Sequence, residues 1–599
     1  MNDDSSGIVD VTSEEGSAIA QNILDAGAKA IETGQLGEAE KIFRSLVNMA
    51  PENPEAYNGL GVVFGMIGNI RSAEYQFRKA IKYAPDVGMF HRNLGSILLN
   101  REKFRRATDE LGKALSLDPD DNEARLMMAI AHKGRKNLPE FEAEIQQVLE
   151  NDVRHPEANH EFGCFLIANE KLEEGQKHLK LATESAKAGP IIFINYGNSL
   201  IMTENLPAAH DAFARAVDLF PLNIDCLMGL GTVERNLGEL QSALKHVEKA
   251  SSLAPAHPIA KNLLGTIYKE MGDYEQAMGL YDDALSLSSD FIPARINRSI
   301  IHLLRGEWTK GFLEFETRRE GDNSMYLRHD LDCPLWDGTS LEGRSIYLYA
   351  EQGFGDAIQF SRFVISIAAQ SGKVVLEVQS ELRTLMKSLN ADIEVVAPGN
   401  DHSATDVHAS LMSLGSLLKL QDAKSVFSKP YLVAPEPTKE LEALMKGVKG
   451  LKVGLNWKGS SSHKEDAKRS IDLKMFDALI ATDGVHFFNL NVSPDKEVSS
   501  SPDGLIDLSE HISDFADAAS IIGQLDLVIS VDTATVHLAG AIGCSCWALI
   551  SFVPDWRWGL ERSDTPWYES VELYRQPALG EWSSVFDRLS VDLEKMRET

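Results

Sequence analysis

The sequence has few cysteines, no surplus of positive charge and no long apolar run. Its 599 residues include only five cysteines, irregularly spaced, so we expect neither a disulfide framework nor a zinc site, and a reducing cytoplasmic location fits. The 89 acidic residues outnumber the 59 basic ones, and a net charge of −30 argues against nucleic acid as a partner. Without an apolar run of about 18 residues, no membrane span is expected.

The amino-terminal stretch has neither the basic start nor the apolar core of a signal peptide. It is acidic and rich in small residues, so we expect residues 1–18 to form a disordered tail. The rest of the chain is too long for one hydrophobic core. At least two domains are therefore expected.

A period of 34 residues runs through the first half of the chain. Small residues recur at fixed places in each period, where they let paired helices approach closely, and this is the tetratricopeptide pattern. We expect about nine such repeats, an α-solenoid over residues 19–320 whose concave surface binds an extended peptide or another protein. A spacer or a self-association device is the alternative. One of the fixed places is occupied by Gly27, Gly61, Gly95, Gly163, Gly197, Gly231 and Gly265.

After residue 320 the period is lost, and strand-like runs alternate with helical patterns. We expect a linker at residues 321–343, followed by parallel sheets covered by helices. A stretch rich in Pro and Lys at 429–450 divides this α/β region. It predicts two Rossmann-like halves, residues 344–440 and 441–599, that face each other across a cleft. The strand-like runs are 345–350, 373–378, 393–396, 451–456, 485–490, 525–531 and 546–551.

Three clusters follow strand-like runs, where parallel sheets bind ligands. The first contains Gly353, Gly355 and Asp356, directly after the first strand of the region. Glycines allow the backbone to approach a ligand closely. The alternative for Asp356 is a purely structural cap on the helix that begins there.

The second cluster is a basic loop that contains Lys458, Gly459, Ser460, Lys468 and Arg469. Positive charge combined with serine and glycine suits a diphosphate. A solvated loop is the alternative interpretation. We favour a binding role for this loop.

The third cluster contains Asp532, Thr533, Ala534 and His537, where a strand passes into a helix of small residues. A helix amino terminus favours a bound phosphate, and Asp532 can accept hydrogen bonds from sugar hydroxyls. A lone histidine is more often structural, so the block is more specific than His537 itself.

In this order and spacing, the three clusters resemble glycosyltransferases of the ADP-heptose:lipopolysaccharide heptosyltransferase type, which have the GT-B fold. The strongest match is S-V-D-T-x-x-x-H-L-A-G-A at residues 530–541, and G-x-G-D at residues 353–356 is the next. The resemblance covers roughly residues 344–599. The layout of repeats followed by such a region is similar to bacterial repeat–glycosyltransferase proteins, including enzymes proposed to modify flagellin, and to the O-GlcNAc transferases.

The resemblance implies an enzyme that transfers a sugar, with inversion, from a nucleotide-sugar to a hydroxyl of an acceptor protein, flagellin being one candidate. Asp356 matches the proposed general base. Either Lys468 or Arg469 can match a lysine that the family places near the diphosphate. Contacts to the donor sugar and phosphate are implied for Asp532, Thr533 and His537.

No metal or other cofactor is expected, because cationic side chains and a helix terminus would stabilise the leaving group. The repeats would hold the acceptor and raise its local concentration. The resemblance leaves open whether the sugar is a hexose, a heptose or a nonulosonate. Two alternatives remain: a non-catalytic scaffold with a degenerate nucleotide-sugar domain, and a glycosyltransferase acting on lipopolysaccharide or polysaccharide.

Overall fold

The computed structural model describes residues 14–320, 331–389, 392–399, 405–459, 466–492 and 504–598. The chain divides into two compact units, Met1–Leu237 and Gly238–Thr599. The described part of the first unit consists of helices and the turns between them. The second unit begins with helices of the same kind and continues into two β-sheets.

Helix pairs joined by short turns build the first unit. The Asn53 side chain caps a helix by accepting a hydrogen bond from the backbone N–H of Ala56 at 2.9 Å. Gly61 is required for close helix packing, because a Cβ there would lie 2.5 Å from the Phe77 ring. The helices are α1 (Glu14–Glu32), α2 (Leu36–Met49), α3 (Pro54–Met66), α4 (Ile70–Tyr83), α5 (Gly88–Asn100), α6 (Phe104–Leu117), α7 (Asn122–Gly134), α8 (Leu138–Asn151), α9 (Pro156–Ala168), α10 (Leu172–Thr183), α11 (Pro190–Met202), α12 (Leu206–Leu219) and α13 (Ile224–Asn236).

The second unit continues the same helical period. The second helix of every pair starts 34 residues after the previous one, from Leu36 to Trp308. This regular spacing confirms the tetratricopeptide pattern that the sequence predicts. The helices of the second unit that follow it are α14 (Leu240–Leu253), α15 (Pro258–Glu270), α16 (Tyr274–Leu287), α17 (Ile292–Leu304) and α18 (Trp308–Phe315).

The first sheet has four parallel strands in the order β3-β2-β1-β4. Strand β4 was not predicted, because its sequence VHAS is short and only partly apolar. The chain leaves β1 towards β2 on one side, and β4 lies on the other side. The elements are β1 (Ser345–Tyr349), α19 (Phe354–Ala368), β2 (Lys373–Glu377), α20 (Arg383–Met386), β3 (Ile393–Val396), β4 (Val407–Ser410) and α21 (Leu414–Leu417).

The second sheet has seven strands in the order β10-β11-β9-β8-β5-β6-β7. All neighbours are parallel except β10 and β11. Its core strands match the predicted runs, and β7, β10 and β11 were not predicted. The elements are α22 (Lys439–Gly447), β5 (Leu451–Asn456), α23 (Asp466–Arg469), α24 (Asp477–Ile480), β6 (Val485–Asn489), β7 (Leu505–Asp507), α25 (Phe515–Ile522), β8 (Leu527–Val531), α26 (Ala534–Ile542), β9 (Cys546–Ile550), β10 (Asp564–Thr565), β11 (Tyr568–Arg575) and α27 (Ser583–Glu598).

One hydrophobic cluster joins the last repeat helices to both sheets. The Trp308 ring stacks on Trp567 with the ring centroids 5.1 Å apart, and Phe312 packs edge-on against Trp556 at 5.6 Å. Helices α17 and α18 therefore share a core with the sheets that follow.

A buried ion pair fixes the end of the repeats to the first sheet. Arg318 donates from Nε to Glu351 Oε1 at 2.7 Å, and each of these side chains is only 2% exposed. The same guanidinium donates to Ser413 Oγ at 3.0 Å. Because Glu351 follows β1 and Ser413 follows β4, this arginine holds the carboxyl ends of both strands in place.

Two of the sequence-based segments differ in part from the structure. Helix α1 begins at Glu14, within the stretch that was predicted to be disordered, and its first residues are acidic, which a helix amino terminus favours. Trp336 in the predicted linker donates its backbone N–H to His408 O at 2.8 Å, so this part of the linker lies along β4. Residues 1–13 and 321–330 of these segments lie outside the described residues.

The five cysteines carry free thiols. Within the part of the chain that the structure describes, no helix combines the length and the apolar character needed to cross a membrane.

Candidate functional site

The second sheet has a switch point between β5 and β8. From β5 the sheet continues to β6 on one side, and from β8 it continues to β9 on the other. Parallel sheets leave a crevice at the carboxyl ends of the two strands at such a point. The residues that leave these strands are Trp457 and Lys458 after β5, and Asp532 and Thr533 after β8.

Helix α26 starts in this crevice and is tied to the end of β5. Thr533 is its N-cap, and its Oγ1 accepts a hydrogen bond from the Thr535 backbone N–H at 3.3 Å. Asn456, the last residue of β5, donates from Nδ2 to Thr535 Oγ1 at 2.5 Å and to Thr533 Oγ1 at 3.3 Å. These bonds hold the α26 amino terminus, with Ala534 as its first residue, at the switch point.

Arg469 is the cation of the basic loop that reaches this crevice. It donates from Nη1 to the backbone oxygen of Asp532 at 3.0 Å and from Nε to Asp466 Oδ1 at 3.2 Å. Gly459 lies against it, since a Cβ there would be 2.6 Å from Arg469 Nη2. The two predicted residues Gly459 and Arg469 are therefore in contact with each other, and Arg469 is bonded to the residue that follows β8.

The other basic residues of the loop are placed differently. Lys468 Nζ lies 3.1 Å from Glu270 Oε2, a side chain of the repeat helix α15. Lys458 is exposed, and its backbone N–H donates to Asn491 Oδ1 at 3.1 Å. Ser460 lies outside the described residues. Of the two cations that the sequence left open, Arg469 is the one bonded at the strand end.

Asp356 caps the helix that begins after β1. Its Oδ2 accepts a hydrogen bond from the backbone N–H of Gly353, the N-cap of α19, at 2.9 Å. Its Oδ1 accepts a hydrogen bond from Arg557. The structural interpretation of Asp356 as a helix-capping residue is thus realised, and any chemical role must be compatible with both bonds.

Gly355 brings the first and third clusters together. A Cβ at this position would lie 2.8 Å from His537 Cδ2 and 3.6 Å from the Ala534 Cα. Only glycine lets α19 approach α26 this closely without displacing the histidine. The packing brings the first turn of α19, which contains Asp356, against the first turn of α26.

Arg557 was not predicted from the sequence, and its side chain bonds to Asp356. Its side chain is 8% exposed and donates to Asp356 Oδ1, to Gln359 Oε1 and, at 2.8 Å, to Asp555 Oδ1. Burial lowers the pKa of Arg557, but Asp555 and Asp356 outweigh this effect and hold it above its ordinary value. The one available signal was an arginine between two tryptophans in the segment D-W-R-W.

His537 is a buried, neutral side chain. Its Nδ1 is 2.9 Å from the Tyr568 hydroxyl, and its ring stacks on Trp558 with the centroids 5.3 Å apart. Burial holds its pKa well below the ordinary value, and the nearby charges of Arg557 and Arg362 act in the same direction. The imidazole therefore stays uncharged near neutral pH. It fills the space between α26, to which it belongs, and Gly355 of α19.

Asp532 titrates near neutral pH. Burial raises its pKa to about 6, and the neighbouring Asp555 carboxylate acts in the same direction. Trp558, Arg557 and Arg469 oppose this rise. A carboxyl group that changes charge near its working pH in a crevice is typical of functional sites, although structural networks produce such shifts too.

Asp532→Asn is expected to remove a pH dependence of stability. The folded-state pKa of about 6 exceeds the ordinary value of 3.8, so its contribution is complete below about pH 4 and is lost as the pH rises through 6. Between about pH 4 and 7, the wild type should lose about 2–3 kcal/mol relative to the variant. Urea unfolding at several pH values measures this. A constant difference between the two proteins would show that the Asp532 pKa is not raised.

Comparison with known proteins identifies the repeats. The family described as tetratricopeptide repeat matches residues 197–258 and 228–292. The chain is 25% identical over 554 residues to Protein FlbA of Caulobacter vibrioides, covering 79% of this chain and 90% of that protein. Because the repeats span about half of the chain, this similarity must extend into the region of the sheets.

A second relative is similar over a shorter stretch. The chain is 29% identical over 110 residues to a barley (Hordeum vulgare) protein named as a probable UDP-N-acetylglucosamine–peptide N-acetylglucosaminyltransferase SPINDLY, covering 17% of this chain and 12% of that protein. Among solved structures, Pseudomonas aeruginosa pilF matches with a TM-score of 0.32 and 15% identity, over 35% of this chain and 96% of that one. The Cut9–Hcn1 tetramer of the APC/C matches with a TM-score of 0.36 and 13% identity, over 47% of this chain and 55% of that one.

Proposed function

We propose that the chain is a protein glycosyltransferase. It would move a sugar from a nucleotide-sugar to a hydroxyl of an acceptor protein held by the repeats, with inversion and without a metal, in a GT-B arrangement. The observation that supports the proposal is the close packing of Gly355, the residue before Asp356, against His537 and Ala534 in the first turn of α26. The name of the barley relative supports the same reaction class.

The donor would lie in the crevice at the ends of β5 and β8. Arg469 and the first amides of α26, beginning at Ala534, would stabilise the diphosphate, because cations and helix amino termini both favour negative charge. Gly459 would allow the backbone of the basic loop to come close to it, with Lys458 and Ser460 on the same loop. Asp532 would accept hydrogen bonds from sugar hydroxyls.

The transfer would be a single displacement at the anomeric carbon. The acceptor oxygen forms a bond to this carbon while the bond from the carbon to the diphosphate oxygen breaks. Asp356 would take the proton of the acceptor hydroxyl, and the electron pair leaves with the nucleoside diphosphate, whose charge Arg469 would stabilise. A carboxylate oxygen that already accepts one hydrogen bond has a second lone pair, so the bonds to Gly353 and Arg557 are compatible with this role.

A nucleotide-sugar-binding scaffold without turnover is the second candidate. It is favoured by Asp356 itself, because both of its oxygens already serve the fold, one as a cap and one as a partner of Arg557. In that case nucleotide binding persists and no product forms.

Nucleotide binding by the full chain tests the donor site. UDP, GDP, ADP and CMP are added singly in a thermal-shift measurement, and one of them is expected to raise the melting temperature. The corresponding sugar nucleotide is then incubated with the chain and purified flagellin, and an increase in flagellin mass by one sugar is expected. If none of the nucleotides binds at millimolar concentration, the donor site is wrong. Binding without transfer to flagellin or to protein in a cell extract would favour the scaffold.

Arg469→Gln is expected to weaken nucleotide binding by about 10- to 100-fold, because a charge-assisted bond contributes about 1.5–3 kcal/mol. Lys468→Gln serves as the matched control. It removes the same charge from the adjacent residue. Because Lys468 is paired with Glu270, we expect the nucleotide affinity to change by less than about threefold. Isothermal titration of both variants measures the difference. Equal losses of affinity in the two variants would show that Arg469 and Lys468 act through long-range electrostatics rather than through one specific contact of Arg469.

A further inference from the structure

Three successive helix pairs of the first unit have equivalent turns at one end. The turns inside the pairs α3–α4, α5–α6 and α7–α8 lie at residues 67–69, 101–103 and 135–137. Each ends on the same backbone hydrogen bond, made by Asn69, Lys103 and Asn137 to the carbonyl oxygen five residues earlier. Since the helices of a pair are joined by a tight turn, the three turns lie at the same end of the stack.

Positive charge outnumbers negative charge at this end, although Glu102 lies in one of the turns and Lys133 is paired with Glu161 at 2.8 Å. The side chains concerned belong to the three turns, to the first turns of α4 and α6, and to the end of α7, and all of them are exposed. We call them the basic edge: Arg71, Arg101, Lys103, Arg105, Arg106, Lys133, Arg135 and Lys136.

The basic edge is continuous from one pair to the next. Arg101 donates to Glu74 on the second helix of the preceding pair, 27 residues earlier. Arg135 makes the equivalent contact, from Nη1 to Thr108 Oγ1 at 3.3 Å, again 27 residues earlier. Each of these two turns is therefore hydrogen-bonded to the helix pair before it, and the cations form one continuous surface.

The opposite end of the same helices carries the opposite charge. The turns between the pairs are acidic, with Asp86 in one and Asp118, Asp120 and Asp121 in the next. The chain as a whole has a net charge of −30. The basic edge is therefore a positively charged surface on a chain whose net charge is strongly negative.

Several cations of the basic edge lie where helix stability alone disfavours them. Arg105 and Arg106 occupy the first turn of α6, whose amino terminus repels positive charge. Lys103 is the N-cap of that helix and makes no side-chain cap bond. Lys136 has φ 62°, a left-handed conformation that glycine adopts without strain. Glu102, Glu170 and Glu204 share it at the equivalent turns, so it belongs to the turn geometry. Departures of this kind from local preference are expected at functional surfaces.

We propose that the basic edge docks an acidic segment of a partner protein, rich in Asp and Glu. Arginine forks match carboxylates in charge and in geometry, and several exposed pairs together give affinity and orientation. The acidic turns at the other end and the overall negative charge repel an extended polyanion, so a short acidic segment fits better than nucleic acid. This surface does not depend on the glycosyltransferase proposal.

Fluorescence anisotropy with a labelled peptide of alternating Asp and Glu tests the docking, using the full chain. Binding is expected at about 50 mM salt and should weaken at about 200 mM. The triple variant Arg105→Gln/Arg106→Gln/Lys136→Gly should bind about tenfold more weakly. Its melting temperature should equal or exceed that of the wild type, because the substitutions relieve charge repulsion and strain. The matched control is Lys177→Gln/Lys180→Gln/Lys187→Gln, which removes three exposed charges of the same unit outside the turns of the basic edge, and its affinity should change by less than about twofold.

Three results would overturn the proposal. The first is the absence of peptide binding at low salt. The second is an equal loss of affinity in the control variant, which would reduce the effect to general electrostatics. The third is tighter binding of a single-stranded oligonucleotide, or of vesicles containing phosphatidylglycerol, than of the acidic peptide, since the partner class would then be different.

Discussion

Replacing Arg557 with Gln is expected to lower the free energy of unfolding by about 3 kcal/mol, within the range for breaking a buried charge pair. The guanidinium is 8% exposed and bonds Asp356 and Asp555 together with Gln359. Its removal leaves two carboxylates close together without their shared cation. Because Arg557 also lowers the pKa of Asp532, the variant should shift the titration of that residue further upward. Urea unfolding, followed by tryptophan fluorescence, measures the loss.

Arg562→Gln is the matched control for this prediction. Arg562 lies in the same segment, is 38% exposed, and pairs with Asp564, which is 73% exposed. Exposed pairs of this kind contribute about 0–1 kcal/mol, so the control should unfold nearly as the wild type does. If the free energy of unfolding of Arg557→Gln is also within about 0.5 kcal/mol of the wild-type value, then the hydrogen bonds of this buried arginine do not stabilise the fold.

Asp356→Asn is expected to reduce sugar transfer by about 10²–10⁴-fold, the usual contribution of a general base. The amide oxygen can still accept the hydrogen bond from Gly353 N, so the helix cap is kept while the basic carboxylate is lost. Nucleotide affinity should change by less than about threefold, because a general base acts on the acceptor hydroxyl in the transition state rather than on the nucleotide. Initial rates of transfer and titration calorimetry measure the two effects separately.

Asp555→Asn is the control for Asp356→Asn. It shows whether the loss of transfer comes from removing the proton acceptor or from removing a carboxylate partner of Arg557. Asp555 also accepts a hydrogen bond from this guanidinium, at 2.8 Å, and it is 38% exposed. The variant should therefore keep most of the transfer rate. If Asp356→Asn and Asp555→Asn lose the same activity, the effect passes through Arg557 and Asp356 is not the base. If Asp356→Asn keeps wild-type turnover, the assignment of the base is wrong as well.

The repeats could be predicted from the sequence because their signal is local and is repeated many times. Each period places small residues such as Gly61 where two helices touch, and the next period repeats the arrangement. The apolar strands β1 and β8 were predicted for a similar reason, since strands buried on both faces are nearly continuous apolar runs. Strands β4 and β7 were missed because they are short, and β11 because it alternates polar and apolar residues.

The three clusters of the candidate site could also be recognised, because each lies within a short stretch next to a strand. The sequence could not choose between Lys468 and Arg469, which are neighbours in the chain with the same charge. The choice depends on what each side chain meets, Glu270 of α15 for one and the end of β8 for the other. Arg557 was missed because its partner Asp356 lies 201 residues away.

The helical period, the order of repeats followed by an α/β region, and the residues that follow the strands can be read from the amino-acid pattern. These properties depend on apolar spacing and on turn residues that are close together in the chain. The packing of Gly355 on His537, the link from Asp356 through Arg557 to Asp555, and the core that α18 shares with the sheets arise from contacts between distant parts of the chain. Such contacts arise because distant elements pack to exclude water, and the direction in which each side chain then points is not encoded by its neighbours in the sequence.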